Sequence, residues 1–447
     1  MSRFLAPRVR LPAVCCLFLA ALVLACDPLT DPAQEADSAR LAKPAAGPTV
    51  SSALPSYAHQ GDAGVAVRVL GTRFDQGSIA SWERDGAADP KVTVHETRFV
   101  SSTELVATIS VATDAAIDLY DIAVTTSTRK KGIGMERFTV TAAQSIGTLG
   151  GNTLARAVND QGASVGYSMV GSSQHAFFAA PGAAMTDLGV GQAYDLDPTG
   201  ATAVVGIVSG VSVVWRNTGG TWTSSPLPHN GAGARATNMT RTPAGLIIGG
   251  SAGNNPALWR ESGTEWTLQT YAIPAGYNGA WVEDVNAQGQ AVGVARDPYS
   301  KAYLWEADGT PVALTPLAGD RTPFAYGINP AGTVIVGASN GRAVYWRRAG
   351  NGSWLPAQIL ESCGRAIDIN ARDMIVGQGC ENATLWVLAG DGGITRRKLP
   401  GLGANSDAPA VEGINNAELP SAAGKAKQQG SSIDEGVTWN LSLVTGQ

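Results

Sequence analysis

Residue types that could carry enzyme chemistry are scarce in this sequence. The chain holds only four histidines, and no two of them have the spacing of a zinc site such as His-Glu-x-x-His. No Gly-x-Ser-x-Gly turn precedes a helical pattern, and the glycines recur as periodic turns rather than as a phosphate-binding loop. The sequence therefore predicts no metal site and no cofactor. The histidines are His59, His95, His175 and His229.

A second set of residues could bind a ligand rather than transform one. Seven residues stand just before a recurring polar turn, and they include three arginines, three aromatic residues and a glutamate. If they ring one mouth of a channel, they suit an anionic or sugar ligand, through charge-assisted hydrogen bonds and stacking. The alternative is that they are solvated residues at a rim, and the sequence leaves both interpretations open. The seven are Arg156, Tyr194, Arg235, Trp281, Tyr326, Arg365 and Glu412.

These seven residues belong to a repeat that must position them. A small residue followed by Gly recurs every 40 to 47 residues from Gly166 to Gly424, and an aromatic residue follows each Gly by 9 to 15 positions. A period of this length, with three or four short strands in each unit, is typical of a β-propeller blade. The pattern predicts a seven-bladed β-propeller over residues 142–447, in which each aromatic residue packs against the neighbouring blade. The aromatic residues are Phe178, Trp215, Trp259, Trp305, Trp346, Trp386 and Trp439.

The units also resemble a known repeat family. The segment "ARAVNDQGASVGYS", followed by "QHAFF" and "MTDLG" (residues 155–189), is similar to the HAF repeat of bacterial extracellular proteins, and "AYGINPAGTVIVGAS" and "RAIDINARDMIVGQ" show the same pattern. That family is named for its sequence and has no agreed activity. The resemblance therefore implies an architecture and not a function.

The two ends of the repeat region bear on how the ring closes. The segment "SIGTLGG" (residues 145–151) looks like the strand that ends each unit, yet it precedes the first full unit. We expect it to complete the last blade, which removes an exposed sheet edge. Near the other end, "SIDEGVTW" (residues 432–439) resembles the Asp-box, a structural hairpin of sialidases and other propellers. In that alternative register Trp439 begins an outermost strand and the N-terminal strand is redundant.

Residues 47–141 form a separate predicted domain. Segments such as "GVAVRVLGTRF" and "LYDIAVTTS" alternate apolar and polar residues with period two, which is typical of strands buried on one face. The segments "VLGTRFDQGS", "FVSSTELVATI" and "YDIAV" resemble the IPT/TIG immunoglobulin-like domain. The resemblance implies a β-sandwich that serves as a spacer or binding module, so the predicted fold class is all-β throughout.

The N-terminus predicts export and lipid anchoring. Three arginines precede an apolar segment that is shorter than the roughly 20 residues of a membrane span, so residues 1–25 have the pattern of a signal peptide. It ends in "LVLAC" (residues 22–26), which resembles the bacterial lipobox and implies that Cys26 carries the lipid. The polar residues 26–46 then form a flexible tether. The alternative is an ordinary secretory signal with an incidental Cys.

The net charge limits the partners that the sequence predicts, and the cysteine content predicts how the cysteines are used. The net charge is −5 and no long basic run occurs, so nucleic acid is not a predicted partner. Apart from the signal peptide and Cys26, only Cys363 and Cys380 remain, and an even pair in an oxidising compartment predicts a disulfide. A redox-active pair is the less favoured alternative, because it prefers Cys-x-x-Cys spacing.

Together these features predict a lipoprotein of the cell envelope, at the outer membrane or cell surface rather than the inner membrane. We expect a non-enzymatic binding or scaffolding role, through the propeller, toward an envelope protein or glycan. The competing hypothesis is a propeller glycosidase or polysaccharide lyase that acts on an anionic glycan, and a purely structural surface repeat is a third option. The enzyme hypothesis predicts that Arg156, Arg235, Arg365, Tyr194 and Glu412 converge in one pocket. The sequence does not indicate an oligomeric state.

Overall fold

The computed structural model describes residues 46–112, 115–231, 233–296, 299–380, 382–390, 392–402, 409–427 and 431–441. Within these ranges the fold is all-β, as the sequence predicts, with 37 strands. No helix in this part of the chain is long and apolar enough to cross a membrane. The predicted signal peptide, Cys26 and all but the last residue of the predicted tether lie outside the described residues.

The first nine strands form two sheets. One sheet has the order β1-β3-β7-β6 and the other the order β2-β9-β8-β4-β5. The strands are β1 (Thr49–Leu54), β2 (Tyr57–His59), β3 (Val65–Thr72), β4 (Ile79–Arg84), β5 (Ala87–Ala88), β6 (Val92–Ser101), β7 (Glu104–Val111), β8 (Asp118–Thr125) and β9 (Lys131–Thr141).

A single apolar core lies between these two sheets. Alternate residues of β7 are buried, beginning with Leu105, because successive side chains of a strand point to opposite faces. The core also holds Trp82 and Phe138 from the second sheet, whose rings meet edge to face with centroids 5.4 Å apart. The alternation that the sequence shows in this region therefore corresponds to strands buried on one face.

The remaining strands form seven antiparallel sheets of four strands each. Six of these sheets take four consecutive strands, and the seventh has the order β10-β37-β36-β35. The strands are β10 (Ala143–Gly147), β11 (Thr153–Val158), β12 (Ser164–Val170), β13 (Ser173–Ala179), β14 (Thr186–Val190), β15 (Gln192–Leu196), β16 (Ala203–Val208), β17 (Val211–Thr218), β18 (Thr221–Pro226), β19 (Ala234–Thr242), β20 (Gly245–Ala252), β21 (Asn255–Ser262), β22 (Glu265–Thr270), β23 (Gly279–Val285), β24 (Ala291–Arg296), β25 (Lys301–Trp305), β26 (Pro311–Ala313), β27 (Pro323–Ile328), β28 (Val334–Ser339), β29 (Arg342–Arg347), β30 (Gln358–Glu361), β31 (Arg365–Ile369), β32 (Met374–Gln378), β33 (Ala383–Leu388), β34 (Ile394–Lys398), β35 (Ala410–Ile414), β36 (Ser421–Lys427) and β37 (Asp434–Asn440).

These seven sheets follow one another around a ring. The second strand of each sheet packs against the first strand of the next, as β12 does with β15 and β32 does with β35. The series closes because β36 of the last sheet packs against β11 of the first. Four-stranded antiparallel sheets arranged radially in this way define the β-propeller fold.

The recurring aromatic residues hold neighbouring sheets together. Each lies on the third strand of its sheet, and Trp259 packs among residues of the preceding sheet such as Val205 and Val214. Its indole Nε1 donates to the carbonyl oxygen of Pro228 at 2.7 Å, in the connection that leads from the preceding sheet. The predicted packing of these residues against the neighbouring sheet is confirmed.

The ring closes through the N-terminal strand. The strand β10 pairs antiparallel with β37, and Ala143 is the partner of Trp439. The predicted closure is therefore confirmed, and the alternative register is wrong. Trp439 lies on the third strand of the last sheet, because β10 and not β37 is the outermost strand.

The two predicted cysteines are joined. Cys363 and Cys380 form a disulfide with their Cα atoms 5.1 Å apart. Cys363 precedes β31 and Cys380 follows β32, so the bond joins the start of the first strand of the sixth sheet to the end of the second strand.

The two-sheet region and the ring belong to one compact unit, residues 47–447. Tyr57 packs against the apolar cluster of the last two sheets of the ring, which includes Trp439. His59 Nε2 lies 2.9 Å from the carbonyl oxygen of Ala143, and Thr141 Oγ1 donates to the carbonyl oxygen of Gly401 at 3.2 Å. The first sheets are thus packed directly on the outer part of the ring.

Candidate functional site

A cavity of about 620 Å³ runs through the centre of the ring. Its wall consists mainly of the first strand of each sheet and the turn that follows that strand. Every one of the seven sheets contributes at least one residue, so the wall is complete only when the whole ring has formed. Residues that are about 40 positions apart in sequence therefore become neighbours in the wall.

Each first strand carries a β-bulge at the same position. In the first sheet, for example, the pairing shifts between Ala155 and Ala157, so that Arg156 is the extra residue. A bulge leaves one residue unpaired and turns its side chain away from the regular alternation. We call the seven extra residues the bulge ring. Its members are Arg156, Tyr194, Thr237, Glu283, Tyr326, Ile367 and Glu412.

The seven residues singled out from the sequence occupy two levels of the wall. Four of them belong to the bulge ring: Arg156, Tyr194, Tyr326 and Glu412. The other three stand two positions earlier on their strands, which places them closer to the end where the first strands begin; they are Arg235, Trp281 and Arg365.

Five of these seven residues line the cavity. Trp281 and Arg365 do not belong to the lining. The five that line it are Arg156, Tyr194, Arg235, Tyr326 and Glu412. Of the residues that the enzyme hypothesis places in one pocket, all except Arg365 therefore line the cavity. We call the end of the cavity where the first strands begin the arginine mouth.

Aromatic rings hold two arginines at this mouth. The guanidinium carbon of Arg156 lies 5.6 Å from the ring centroid of Tyr167 and 5.2 Å from that of Tyr194. Arg296, which ends β24, lies 4.7 Å from Trp281 and 5.1 Å from Phe324. Attraction between a cation and an aromatic face contributes about 0.5–1 kcal/mol at exposed sites, so both guanidinium groups are oriented before any ligand arrives.

A glutamate and a tyrosine of the wall lie near these arginines. Trp281 Nε1 donates to Glu283 Oε1 at 2.7 Å. Burial raises the pKa of the Glu283 carboxyl, and the positive charges of Arg235 and Arg296 act in the opposite direction. Burial likewise raises the pKa of the Tyr326 hydroxyl. The mouth therefore offers cations at its edge and hydrogen-bonding groups in its wall.

Three aspartates form a narrower level below the bulge ring. Asp195, Asp284 and Asp368 stand one residue after the bulge in the second, fourth and sixth sheets. Each accepts two backbone N–H groups, one from the next residue and one from the following sheet. For Asp368 these donors are Ile369 at 2.7 Å and Ile414 at 2.9 Å. The carboxylates therefore join sheets in pairs.

Burial in the cavity wall raises the pKa values of these three aspartates. Burial raises the pKa of Asp195 to about 7, although the two N–H donors lower it, and the neighbouring charges of Asp368 and Asp197 add to the rise. Burial raises the pKa of Asp368 to about 6. The pKa of Asp284 also rises through burial and through the charge of Asp368. Three like charges around one axis disfavour simultaneous ionisation.

Three of the other four sheets have a small residue at the position equivalent to these aspartates, and the third sheet has Asn238, which donates to Asp284. The equivalent position in the fifth and seventh sheets is Gly327 and Gly413. A Cβ atom on Gly413 would lie 2.8 Å from the carbonyl oxygen of Arg156, and one on Gly327 would lie 3.2 Å from the Cα atom of Asp368. The glycines thus make room for the neighbouring strands to approach within hydrogen-bonding distance of the aspartates.

Sequence reasoning missed Glu283, Arg296 and the three aspartates, although a signal for the aspartates exists. The residue two positions before the repeated turn residue is acidic in the segments "YDLD", "VEDVN" and "AIDIN", and it is small in "RAVN", "YGIN" and "EGIN". Reading the units in pairs rather than singly would have shown this alternation. No comparable signal marks Arg296, because its position is defined by a second strand and not by the turn.

One cluster of side chains has the residue types of a metal site. Among the described residues, a single group of possible metal ligands comes together, and it consists of Glu361, Cys363 and Cys380. Both sulfur atoms belong to the disulfide, and Glu361 Oε1 pairs with Arg396 at 2.6 Å. The group is thus occupied by bonds within the protein.

Fold and cavity together define an all-β protein of β-propeller type with an open axial site. No protein-family model and no curated protein matches the chain. Among solved structures it is similar to a catalytically inactive virginiamycin B lyase from Staphylococcus aureus with quinupristin, at 12% identity and a TM-score of 0.47, over 66% of this chain and 98% of that one. A streptogramin B lyase matches at 12% identity and a TM-score of 0.41, over 66% and 96%. A putative gluconolactonase matches at 14% identity and a TM-score of 0.36, over 67% and 92%. The likeness concerns the fold alone.

Proposed function

We propose that this protein is an envelope lipoprotein that binds an anionic ligand, without turnover, at the arginine mouth of a seven-bladed β-propeller. In this proposal Cys26 carries the lipid, residues 26–46 form the tether and residues 47–141 form an immunoglobulin-like sandwich of IPT/TIG type. Residues 142–447 form the propeller from HAF-like repeats. The partners are the membrane, through the lipid, and a glycan or protein of the envelope.

The arginines of the mouth carry the binding proposal, because none of them forms a close ion pair. Several other arginines of the ring do, as Arg216 does with Glu261 at 2.7 Å and Arg348 with Glu306 at 3.0 Å. Among the described residues, none of the four arginines at or beside the mouth forms a salt bridge, although Arg235 and Arg296 are near enough to Glu283 to lower its pKa. Guanidinium groups in the cavity wall that are free of a close carboxylate, such as Arg156 and Arg235, favour an anion that makes charge-assisted hydrogen bonds.

An enzyme is the second candidate, and the convergence of Arg156, Arg235, Tyr194 and Glu412 in one cavity favours it. The carboxylates that hydrolysis requires are less suitable. A general acid or base must exchange a proton with the substrate. In each of the three aspartates, one oxygen instead accepts the N–H of the next residue and the other accepts an N–H of the following sheet. Binding without turnover is therefore the function that the site supports best.

The test is a binding screen of the purified full chain against acidic and neutral glycans, with the same mixtures analysed for cleavage products. We expect binding to acidic glycans alone, weakened by salt because exposed charges are screened. Arg235→Gln should reduce it, whereas the control Arg397→Gln, on the outer strand β34, should not. Cleavage products that disappear in Glu412→Gln would establish the enzyme instead.

The anchor is tested separately. Mass spectrometry of the protein from membranes should show a lipid-modified N-terminal Cys26, and Cys26→Ala should move the protein to the soluble fraction. A mature chain that begins at another residue would contradict the lipoprotein proposal and leave the ligand proposal untouched.

A further inference from the structure

The two aromatic-clamped arginines stand far apart around the mouth. Arg156 lies between the first and second sheets, since Tyr167 belongs to β12 and Tyr194 to β15. Arg296 lies between the fourth and fifth sheets, since Trp281 belongs to β23 and Phe324 to β27. In a closed ring of seven sheets, a separation of three sheets places the two clamps nearly opposite each other around the mouth. Arg156 lines the cavity, whereas Arg296 lies just outside the lining, near the lining residues Glu283 and Tyr326.

The clamps determine which part of each guanidinium group a ligand can reach. Each guanidinium carbon lies over two aromatic rings, and these contacts leave the N–H groups as the part of the side chain that can make hydrogen bonds to a ligand. That arrangement matches the two oxygens of a carboxylate, which a guanidinium binds through two parallel hydrogen bonds. In Arg156, Nη2 donates to Gln192 Oε1 at 3.3 Å, which holds the guanidinium group beside Tyr194, whereas Nε is buried and out of a ligand's reach. A ligand therefore approaches Arg156 at the Nη end of its guanidinium group.

The second clamp is held by a longer stack. The rings of Phe324 and Tyr326 are nearly parallel, at an interplanar angle of 8° and a centroid distance of 5.9 Å. On the other side of Arg296, the hydrogen bond from Trp281 to Glu283 fixes the indole. Rigid positioning of this kind lowers the entropic cost of binding, because the side chains of the site are already ordered.

The groups between the clamps disfavour a ligand that has no hydroxyl groups between its charges. Glu283 and Glu412 belong to the same bulge ring as Arg156, and carboxylates repel a densely charged chain such as polyphosphate. They accept hydrogen bonds from hydroxyl groups, however. A ligand with separated carboxylates and hydroxyl groups between them satisfies both the arginines and the glutamates.

We infer that the ligand is an acidic oligosaccharide with carboxylates on at least two sugar residues, and that Arg156 and Arg296 each bind one of these carboxylates. This inference rests on the proposed function of the mouth. It adds the chemical class of the ligand, the two residues that determine specificity and a requirement for length. A single uronic acid reaches one clamp only, whereas an oligomer reaches both.

The experiment is calorimetric titration of the full chain with α-1,4-linked galacturonate oligomers of one to six residues. We expect affinity to rise at least about tenfold from the monomer to the oligomer that first spans both clamps, since tenfold corresponds to one additional good hydrogen-bonded contact. Arg156→Lys and Arg296→Lys should each abolish this gain, because lysine keeps the charge but loses the two-pronged geometry.

The matched control is Arg216→Lys, since Arg216 also lies over an aromatic ring, Trp266, at 5.2 Å, but on the third strand of its sheet, where it pairs with Glu261. It should leave the length dependence unchanged, and thermal unfolding shows whether the variants fold. Equal affinity of monomer and oligomers, or equal binding of methyl-esterified oligomers, overturns the inference. Binding of a sulfated glycan or polyphosphate alone, lost in Arg235→Gln, overturns this inference and leaves the proposed function intact. If no anion binds, both are wrong.

Discussion

Asn415 Nδ2 donates to the backbone carbonyl oxygen of Asn159 at 2.8 Å, across 256 residues of sequence. The two residues occupy the same turn in the last and the first sheet, so this bond joins the two ends of the ring. The Asn415 side chain also accepts the Ser421 N–H at 2.7 Å, which holds its own turn. One buried amide therefore stabilises a turn and the closure of the ring together.

Asn415→Ala should destabilise the protein. The substitution removes the bond between the last and first sheets and leaves the Ser421 N–H without its partner, while the Asn159 carbonyl keeps the Gly162 N–H. An unsatisfied buried polar group costs about 1–3 kcal/mol. Chemical denaturation monitored by tryptophan fluorescence measures this loss. Asn351→Ala is the control, because Asn351 also holds a turn through a side-chain oxygen but is exposed. Equal denaturation midpoints for the two variants would show that closure does not depend on this bond.

Two tryptophans offer a matched comparison of a hydrogen bond at constant packing. Trp439 and Trp386 are both fully buried on third strands. Trp439 Nε1 donates to the Pro400 carbonyl at 2.7 Å, whereas Trp386 Nε1 has no partner among the described residues. Both Trp→Phe substitutions create a similar cavity. Trp439→Phe should cost about 1 kcal/mol more, because it alone loses a net stabilising bond.

The free energy of unfolding of each variant, from denaturation at one pH, gives this difference directly. If Trp386→Phe costs as much as Trp439→Phe, the indole bond contributes nothing beyond packing.

The repeat could be predicted from the sequence because its cause is local. A small residue, a turn and an aromatic residue recur at one interval wherever a sheet must be built and covered by its neighbour, so the propeller fold and the packing of the aromatic residues against a neighbouring sheet followed from that interval. Closure was predicted from the additional strand-like segment at residues 145–151, of which residues 145–147 belong to β10. The position of side chains in the cavity did not follow. A bulge adds one residue to each first strand, and the sequence around Arg235 and Arg365 does not show on which side of the bulge they lie.

Pairing between sheets was also inaccessible to a unit-by-unit interpretation. Asp368 matters because its carboxylate reaches Ile414 in the next sheet, 46 positions away. A repeat that is analysed one unit at a time treats this residue as one more polar position. Clamping of Arg296 similarly requires Trp281 and Phe324 from two sheets, and only the ring brings them together.

The disulfide should contribute measurably to stability. It closes a segment with a sequence separation of 17, and the chain-entropy account assigns roughly 3 kcal/mol to a loop of this size. Cys363→Ser combined with Cys380→Ser, or reduction of the wild-type protein, should lower the free energy of unfolding by about that amount. A double variant as stable as the oxidised protein contradicts the prediction. The same double variant should keep ligand affinity, since neither cysteine lines the cavity.

The central aspartates predict an unusual dependence of stability on pH. The pKa is about 7 for Asp195 and about 6 for Asp368 in the folded protein, whereas an unfolded Asp titrates near 3.9. Between about pH 4 and pH 7 the folded chain therefore binds more protons than the unfolded chain. The stabilisation that these two protonated carboxyl groups contribute is fully present below about pH 4 and is lost as the pH rises through 6 and 7. The free energy of unfolding, measured by denaturation from pH 5 to pH 8, should therefore fall.

The control for this dependence is the double variant Asp195→Asn and Asp368→Asn. An amide keeps one acceptor oxygen for the bonds to Met239 and Ile414 but does not titrate, so the variant should show a flatter profile over the same range. The part of the difference that comes from titration should grow from pH 5 to pH 8, because the wild-type carboxyls ionise in the folded state only over that range. A variant that loses stability with pH as steeply as the wild type would assign the titration to other groups.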